Sequence, residues 1–226
     1  MATVIQRARI RTAIATAILG VVMFGAAGSV KWPAGWLYFA VLVLATTLPL
    51  CGPLRFDQGL IEERLSSGPG AKKWDRLFVA LVGVLTPAEL VVPGLDFRFG
   101  WTPALPAWIM WAGFAGVVLG TAGLTWAMWT NRFFSAVIRI QRERGHMVIT
   151  SGPYRVVRHP GYATWMVQTL SAPFLFRSLW TMVPVGLLVV MFFVRTSLED
   201  RVLMDEFDGY RDYAARVTWK LIPGVW

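Results

Sequence analysis

Charged residues and cysteines are both scarce in this chain of 226 residues. Asp, Glu, Lys and Arg together make up 15% of the sequence, whereas soluble domains average about 25%. The single cysteine, Cys51, excludes an internal disulfide and any metal site built from several cysteines. Apolar residues account for 56% of the chain and include 12 tryptophans and 14 phenylalanines. The composition therefore argues against an ordinary soluble domain.

The apolar residues are concentrated in long blocks. A helix needs about 20 apolar residues to cross the hydrocarbon core, and in lipid its backbone must satisfy its own hydrogen bonds. Six blocks are present, at residues 10–30, 34–54, 74–93, 104–129, 162–176 and 179–194. The last two are short and only Arg177 and Ser178 separate them, which predicts a helical hairpin. We therefore predict an all-α, polytopic membrane helix bundle with about six spans.

The basic residues lie between these blocks and not along one continuous face. With six spans, every Lys and Arg except Lys31, Arg98 and Arg177 falls on one side of the membrane. Cytoplasmic loops are enriched in Lys and Arg, so we expect both termini at the cytoplasmic face. Membrane topology then explains the formal charge of +9, and we expect membrane lipids and no nucleic acid as partners. The oligomeric state stays open.

Two polar stretches, residues 131–162 and 195–226, flank the predicted hairpin on the cytoplasmic side. We therefore divide the chain into N-terminal transmembrane helices (1–130) and a region that carries the chemistry (131–226). In the first stretch, Pro160 is suited to start a helix, which places Arg158 and His159 at a helix N-terminus. Such a terminus favours an anion or an electron-rich ligand. The alternative is that Arg155 and Arg158 bind lipid phosphate and His159 only caps the helix.

In the second stretch, Arg195 and Glu199 are four residues apart and would share one helix face. The alternative is structural: Thr196-x-x-Glu199 fits a capping box that would start a new helix, and Arg195 could extend to the membrane interface. The residues that follow predict a C-terminal amphipathic helix lying along the membrane. In the third block, Glu89 is an ionisable group at membrane depth and hence a candidate substrate-binding residue. The alternative is that the span ends early at Pro87 and Glu89 sits near an interface.

Taken together, these residues resemble the isoprenylcysteine carboxyl methyltransferase and phospholipid methyltransferase group. The resemblance covers residues 131–226 and is carried by Gly152-Pro153-Tyr154, Arg158-His159-Pro160-x-Tyr162, Arg195-x-x-x-Glu199-Asp200 and Leu221-Ile222-Pro223. Thr164 stands where the family usually has glycine, so we expect its side chain to narrow the groove or alter helix packing. Asp200 stands where a second glutamate is usual.

The resemblance implies a membrane methyltransferase that uses S-adenosylmethionine at the cytoplasmic face. It assigns cofactor binding to Tyr154, Arg158, His159, Pro160, Tyr162 and Glu199. Glu199 would meet the ammonium group of the cofactor, and Arg195 would orient the carboxylate of the substrate or that of the cofactor. Glu199 and Arg195 are the predicted catalytic residues. No metal is expected. The implied substrate is hydrophobic or prenylated and is methylated at a carboxylate. A carboxylate acceptor needs no general base, and the sequence offers no clear one besides His159.

Three other functions remain open from the sequence. The protein could methylate the amine of a phospholipid headgroup, as members of the broader methyltransferase group do. It could be an NADPH-dependent membrane reductase, because sterol reductases carry a related Arg-His-Pro segment, although they are usually longer. A small channel, transporter or structural membrane protein is the non-enzymatic alternative.

Overall fold

In the computed structural model, residues 2–50, 61 and 72–226 are described, and all regular structure in these ranges is helical. The helices are α1 (Ala2–Ala27), α2 (Pro33–Thr47), α3 (Lys73–Phe99), α4 (Ala107–Thr130), α5 (Pro160–Phe176), α6 (Met182–Glu206) and α7 (Tyr210–Arg216). Short 3-10 turns occur at Leu48–Leu50, Arg142–Arg144 and Gly152–Arg155. The predicted all-α architecture is confirmed. Cys51 and the last residues of the second predicted span lie outside the described residues.

Four helices in the described part of the chain are long and apolar enough to cross a membrane. They are Ile5–Ala27, Trp74–Phe99, Ala107–Thr130 and Met182–Glu206. The other two apolar blocks form the shorter helices α2 and α5, with 15 and 17 residues. Val21, Leu119 and Val190 are exposed on the long helices, as expected for a surface that contacts lipid. The chain is an integral membrane protein.

Aromatic rings join the helices at the core of the bundle. Trp32, which directly precedes α2, lies between Phe97 of α3 and Phe176 of α5, with ring centroids 5.5 and 5.2 Å away. Both ring pairs are stacked. Stacked rings add to the burial of apolar surface, so this group fixes the start of α2 against the ends of α3 and α5.

Helix α3 extends beyond the predicted third span, which was expected to end at residue 93. It continues through Pro87 and Pro93 to Phe99. A proline removes one backbone hydrogen bond from a helix, but packed neighbours allow membrane helices to continue through it. Glu89 therefore lies inside the helix, and only 3% of its surface is exposed. The alternative that Glu89 sits near an interface because the span ends at Pro87 is wrong.

The sixth span and the polar residues after it form one helix, α6, which continues 12 residues past the predicted end at Val194. The alternative of a capping box is wrong, because Thr196 Oγ1 instead donates to the carbonyl of Phe192 (2.7 Å) inside the helix. The remaining part of the predicted amphipathic segment forms α7 after a turn at Gly209. Glu199 is thus held on a continuous helix and not at a new helix start.

The predicted hairpin of α5 and α6 is confirmed, and its turn is anchored at the end of the bundle opposite to the polar stretches. The turn begins at Arg177, which has a left-handed backbone conformation (φ 54°). Asp96 of α3 accepts hydrogen bonds from the backbone N–H of Thr102 (2.7 Å) and from the hydroxyl of Ser178. The Asp96 carboxylate therefore joins the α3–α4 loop to the hairpin turn.

Helices α4 and α5 approach each other closely along glycines of α4. A Cβ atom placed on Gly113 would lie 2.1 Å from the backbone nitrogen of Leu175, and one on Gly120 would lie 2.5 Å from that of Gln168. Small residues at such contacts let membrane helices touch backbone to backbone, which increases their van der Waals contact. The glycines of α4 thus permit the close approach of α5.

Replacing Gly113 with alanine should destabilise the protein. The added methyl group would collide with the backbone of α5, and overpacking of this kind costs about 1–3 kcal/mol. We expect the Gly113→Ala variant to unfold at a lower temperature than the wild type in detergent. Gly83→Ala is the matched control, because Gly83 has no atom within 4 Å of its added Cβ. Equal melting temperatures for Gly113→Ala and Gly83→Ala would contradict the packing described here.

Candidate functional site

A cleft opens at the polar end of the bundle. We call residues 131–149, which follow α4, the strap. The cleft has a cavity volume of about 120 Å³ and opens to solvent on one side. Its walls are strap residues 131, 133–135, 137–139 and 146–149, together with residues 154, 158, 159, 161, 162, 199, 203, 207, 210 and 213. The strap therefore supplies about half of the lining.

The Arg-His-Pro segment leads into α5 at this cleft. Pro160 is the first residue of α5, where its missing N–H removes no helical hydrogen bond. The two preceding residues are fixed by the C-terminal segment, since the N–H of Arg158 donates to Trp219 (2.9 Å) and that of His159 donates to Lys220 (3.0 Å). The predicted position of Arg158 and His159 just before a helix is confirmed.

Asp200 of α6 holds this segment in place through its side chain. Arg158 donates from Nε to Oδ1 and from Nη2 to Oδ2 of Asp200, both at 2.8 Å. The hydroxyl of Tyr210 donates to Oδ1 (2.8 Å), and His159 Nε2 lies 3.1 Å from the same oxygen. A carboxylate only accepts hydrogen bonds, so His159 Nε2 carries a proton. Arg158, His159 and Asp200 are all buried, which makes this a buried ionic network.

Glu199, the residue before Asp200, faces the cleft. Its Oε2 accepts a hydrogen bond of 2.6 Å from the hydroxyl of Tyr162. The Tyr162 ring is nearly parallel to that of His159, with an interplanar angle of 3° and centroids 5.9 Å apart. The cleft thus contains a carboxylate whose orientation is set by a tyrosine, and that tyrosine lies beside the residues held by Asp200.

Arg195 is buried and does not line the cleft. Its guanidinium lies 4.5 Å from the ring centroid of Phe78 and 5.5 Å from that of Tyr162. Its Nη2 donates to the carbonyl of Ala136 (2.7 Å) and is 3.0 Å from Oδ1 of Asp75. Asp75 and Arg195 thus form a buried ion pair.

His146 of the strap lies between two aromatic rings. Its ring centroid is 4.4 Å from that of Phe133 and 4.5 Å from that of Phe207. Its Nδ1 accepts a hydrogen bond from the N–H of Gln141 (3.2 Å). Burial, with the positive charges of Arg144 and Arg139, lowers the pKa of His146 to about 4. His146 is therefore a neutral aromatic side chain at physiological pH.

Two tyrosines of α7 complete the wall of the cleft. The hydroxyl of Tyr213 donates to the carbonyl of Tyr154 (2.7 Å), and burial raises the pKa of Tyr213 to about 12. Burial and the charge of Asp200 also raise the pKa of Tyr210. Both tyrosines are thus neutral hydrogen-bond donors. The Tyr154 hydroxyl accepts a hydrogen bond from Asn131 Nδ2 (3.2 Å), which links the start of the strap to the same wall.

The structure brings most of the predicted site residues together. Five of the six predicted cofactor-binding residues line the cleft, namely Tyr154, Arg158, His159, Tyr162 and Glu199. Pro160, the sixth, starts α5 and is not part of the lining. Glu89 is buried within α3 and does not reach the cleft. The roles assigned to all these residues, and to Arg195, stay predictions.

Sequence reasoning missed Asp75 and His146, and it gave Asp200 no role of its own. Asp75 precedes Arg195 by 120 positions, and no local pattern connects them. His146 could have been noticed as one of only two histidines, in a polar stretch already singled out. Asp200 could have been paired with Arg158, since both belong to the motif that carries the family resemblance.

Thr164, where the family usually has glycine, faces α4. Its Cγ2 would be 2.5 Å from a Cβ placed on Gly123, and its hydroxyl donates to the carbonyl of Pro160 (2.8 Å). Thr164 does not line the cleft. Of the two expected consequences, altered helix packing is therefore the one that the structure supports.

The structure is that of a polytopic membrane helix bundle with an aromatic, partly charged cleft at its polar end. The segment that carries most of this cleft also has known relatives. Residues 108–205 match the family model described as the isoprenylcysteine carboxyl methyltransferase family. The resemblance to this family is therefore confirmed for the segment from α4 to the end of α6.

Individual relatives agree with this family. A protein-S-isoprenylcysteine O-methyltransferase of Dictyostelium discoideum is 26% identical over 142 residues, which cover 60% of this chain and 60% of that protein. A probable protein-S-isoprenylcysteine O-methyltransferase of Oryza sativa subsp. indica is 30% identical over 112 residues, 48% of this chain and 59% of that protein. A protein-S-isoprenylcysteine O-methyltransferase of Rattus norvegicus is 30% identical over 123 residues, which cover 52% of this chain and 43% of that protein. The matches thus span three fifths or less of these relatives.

Substituting Asp200 with asparagine should strongly destabilise the protein. An amide of the same shape cannot neutralise Arg158, and leaving one member of a buried ion pair unpaired costs about 3–5 kcal/mol. We expect a marked fall in the melting temperature of the Asp200→Asn variant in detergent. Asp205→Asn, on the same helix, is the control, because the Asp205–Arg211 pair is largely exposed and such pairs contribute about 0–1 kcal/mol. Similar melting temperatures for the two variants would show that the Asp200 network does not stabilise the fold.

Proposed function

We propose that this protein is an S-adenosylmethionine-dependent methyltransferase that methylates the carboxylate of a hydrophobic or prenylated substrate. The observation that carries the proposal is the Tyr162–Glu199 pair, which lies in an aromatic cleft within the segment matched by the family. The similar proteins in Dictyostelium discoideum, Oryza sativa subsp. indica and Rattus norvegicus are named as isoprenylcysteine O-methyltransferases, which supports the same chemistry. In this proposal, residues 131–226 carry most of the site and residues 1–130 form the transmembrane scaffold.

The groups that line the cleft suit S-adenosylmethionine. Glu199 offers a negative charge for an ammonium group. The rings of Phe133, His146 and Phe207 provide flat surfaces for an adenine base and attract a nearby cation. When bound, S-adenosylmethionine supplies a methyl group on a positively charged sulfur, and its transfer to a carboxylate cancels two opposite charges. The side chains present therefore fit this cofactor.

The protein's own residues have two tasks in such a reaction, alignment and exclusion of water. Asp200 aligns the cleft by fixing Arg158, His159 and Tyr210. Arg158 already makes four hydrogen bonds, two to Asp200 and two from Nη1 to the carbonyls of Val217 and Thr218. These contacts fix the guanidinium in the wall of the cleft, where its positive charge suits a ligand carboxylate. Aromatic residues of the strap and of α7 limit access of water.

Arg195 keeps its proposed roles, as a catalytic group and as a ligand for the substrate carboxylate, with one condition. In the structure its guanidinium pairs with Asp75 and donates to Ala136, so binding of a substrate carboxylate would need one of these contacts to change. In that case the ring of Tyr162, whose centroid is 5.5 Å from the guanidinium, is the part of the cleft wall that Arg195 contacts through its face. Otherwise Arg195 contributes by supporting Tyr162.

We also propose that the cleft and both termini face the cytoplasm. At the polar end of the bundle, the described residues include many arginines, such as Arg132, Arg142 and Arg155. At the opposite end, near Asp96, the described basic residues are Lys31, Arg98 and Arg177. The bias toward one end is the pattern of cytoplasmic loops.

Among the alternatives, methylation of a phospholipid amine needs an acceptor nitrogen that has lost its proton. His146 is neutral but lies between two rings, and His159 Nε2 is occupied by Asp200. Neither arrangement suggests a dedicated base, so a carboxylate acceptor is the better fit. An NADPH-dependent reductase and a non-enzymatic membrane protein are the other outcomes that the experiments below distinguish.

The purified protein should bind S-adenosylmethionine, and Glu199→Gln should weaken that binding at least tenfold, or about 1.4 kcal/mol. The substitution removes the charge that would meet the ammonium group. His159→Ala should also weaken binding, because it opens the wall beside Tyr162. Isothermal titration calorimetry in detergent measures both affinities.

Glu206→Gln is the matched control for Glu199→Gln, because Glu206 ends the same helix and its ion pair with Lys72 is exposed. Binding by Glu206→Gln should equal that of the wild type. If the folded wild type binds no S-adenosylmethionine but binds NADPH, the protein is a reductase. Binding of neither would favour the non-enzymatic alternative.

With S-adenosylmethionine present, the protein should methylate a farnesylated cysteine analogue at its carboxylate and leave phosphatidylethanolamine unmodified. If Glu89 contributes to the substrate site, Glu89→Gln should raise KM for the farnesylated acceptor and leave the affinity for S-adenosylmethionine unchanged. Transfer of a radiolabelled methyl group in a reconstituted vesicle measures both. Methylated phosphatidylethanolamine as the main product would establish the amine alternative, and unchanged kinetics of Glu89→Gln would remove Glu89 from the substrate site.

A further inference from the structure

Asp75 is a buried acidic residue that lies outside both the cleft lining and the family segment at residues 108–205. It is in the first turn of α3, and none of its surface is exposed. A carboxylate at such a position loses its hydration, which is unfavourable unless other groups compensate. Within the described part of the chain, the groups that compensate Asp75 belong to the walls of the cleft or contact them.

The first contact of Asp75 is with the backbone of the strap. Its Oδ2 accepts a hydrogen bond of 2.7 Å from the N–H of Ile138, and Ile138 lines the cleft. Two residues earlier in the strap, the carbonyl of Ala136 accepts a hydrogen bond of 2.7 Å from Arg195. The ion pair of Asp75 and Arg195 thus binds the strap through one donor and one acceptor of its backbone.

The second contact of Asp75 leads to the polar floor of the cleft. Asp75 Oδ1 is 3.0 Å from Arg195 Nη2. The guanidinium of Arg195 lies against the ring of Tyr162, whose hydroxyl holds Glu199. Asp75 therefore influences the placement of the strap, of Tyr162 and, through Tyr162, of Glu199.

We propose that Asp75 is a positioning residue for the cleft: together with Arg195 it holds the strap closed over the ligand and keeps Tyr162 against Glu199. The part of this inference that concerns cofactor affinity rests on the proposed function. The part that concerns the strap does not. Helix α3 would then belong to the functional site although it lies outside the segment that matches the family.

Stability alone is a weak explanation for this ion pair. A buried ion pair often stabilises a fold no more than apolar residues of similar size would, because both charges must lose their hydration. The pair also supplies two directional contacts, the hydrogen bonds of Asp75 with Ile138 and of Arg195 with Ala136, and these define where the strap lies. Asp96, at the other end of α3, offers a comparison, because it is equally buried but binds Thr102 and Ser178 far from the cleft.

Limited proteolysis tests the hold on the strap in the absence of any ligand. The strap contains Arg139, Arg142 and Arg144, after which trypsin cleaves. Asp75→Ala removes both the charge and the acceptor for Ile138, and we expect at least tenfold faster cleavage in the strap. Asp75→Asn loses the charge but keeps an acceptor, so its rate should be intermediate. Asp96→Asn, the matched control on the same helix, should be cleaved like the wild type.

Titration with S-adenosylmethionine tests the consequence for the site. We expect Asp75→Ala to raise the Kd for S-adenosylmethionine at least tenfold and Asp75→Asn to raise it less, whereas Asp96→Asn leaves it unchanged. In the methylation assay, KM for S-adenosylmethionine should rise more than kcat falls, because Asp75 positions the binding wall and does not contact the reacting atoms. Mere destabilisation would lower the active fraction of Asp75 and Asp96 variants alike and leave KM unchanged.

The outcomes separate this inference from the proposed function. If wild-type protein binds no S-adenosylmethionine, the proposed function fails, and the trypsin rates still decide whether Asp75 holds the strap. If Asp75→Ala is poorly folded, Asp75→Asn and Asp96→Asn can still be compared, because both replace a buried aspartate of α3 with asparagine. Equal strap cleavage and equal Kd for this pair would overturn the role of Asp75. Faster strap cleavage in Asp75→Asn with an unchanged Kd would overturn the part that concerns the ligand.

Discussion

The carboxylate of Asp200 is the interaction on which the polar end of this protein depends. It receives hydrogen bonds from Arg158, His159 and Tyr210, which come from the segment before α5 and from α7. Arg158 then extends the network to the carbonyls of Val217 and Thr218. Buried groups of this kind are stable only when their partners are all present. The start of α5, the end of α6, α7 and the C-terminal segment must therefore assemble together.

Adjacent carboxylates on α6 consequently have different tasks. Successive residues on a helix point about 100° apart, so Glu199 and Asp200 face different neighbours. Asp200 turns toward the buried arginine and is fully engaged in holding the wall. Glu199 turns toward Tyr162 and the cleft, where its charge is available to a ligand. On the other side of the cleft, the strap brings the aromatic residues, and the buried pair of Asp75 and Arg195 holds its backbone. The site thus combines one fixed polar wall with one aromatic wall that is anchored at a few points.

The sequence was a good guide to the helices and a partial guide to the site. Apolar blocks predicted where helices form, because lipid permits few other structures, but hydropathy alone ended the sixth span at Val194, where the helix in fact continues. The Arg158-His159-Pro160 motif predicted a helix start because proline has a strong positional preference. The partner of Asp75 could not be predicted, since Asp75 and Arg195 are distant in the chain and meet only through the packing of α3 on α6. Likewise, the local pattern at Thr196 fitted a capping box, but the continuous helix left no free N–H groups for it to cap.

The contact between Gly123 and Thr164 has a consequence for how sequences of this kind can vary. The space that the Thr164 side chain occupies exists because Gly123 on α4 has no side chain. The two positions therefore share one fixed volume across the α4–α5 interface. A protein with glycine at the position of Thr164 can carry a methyl group at the position of Gly123 without moving the helices apart, whereas side chains at both positions would separate them. The departure at Thr164 is thus compatible with an unchanged cleft. We expect residue 123 and residue 164 to vary together, with a side chain at only one of the two positions.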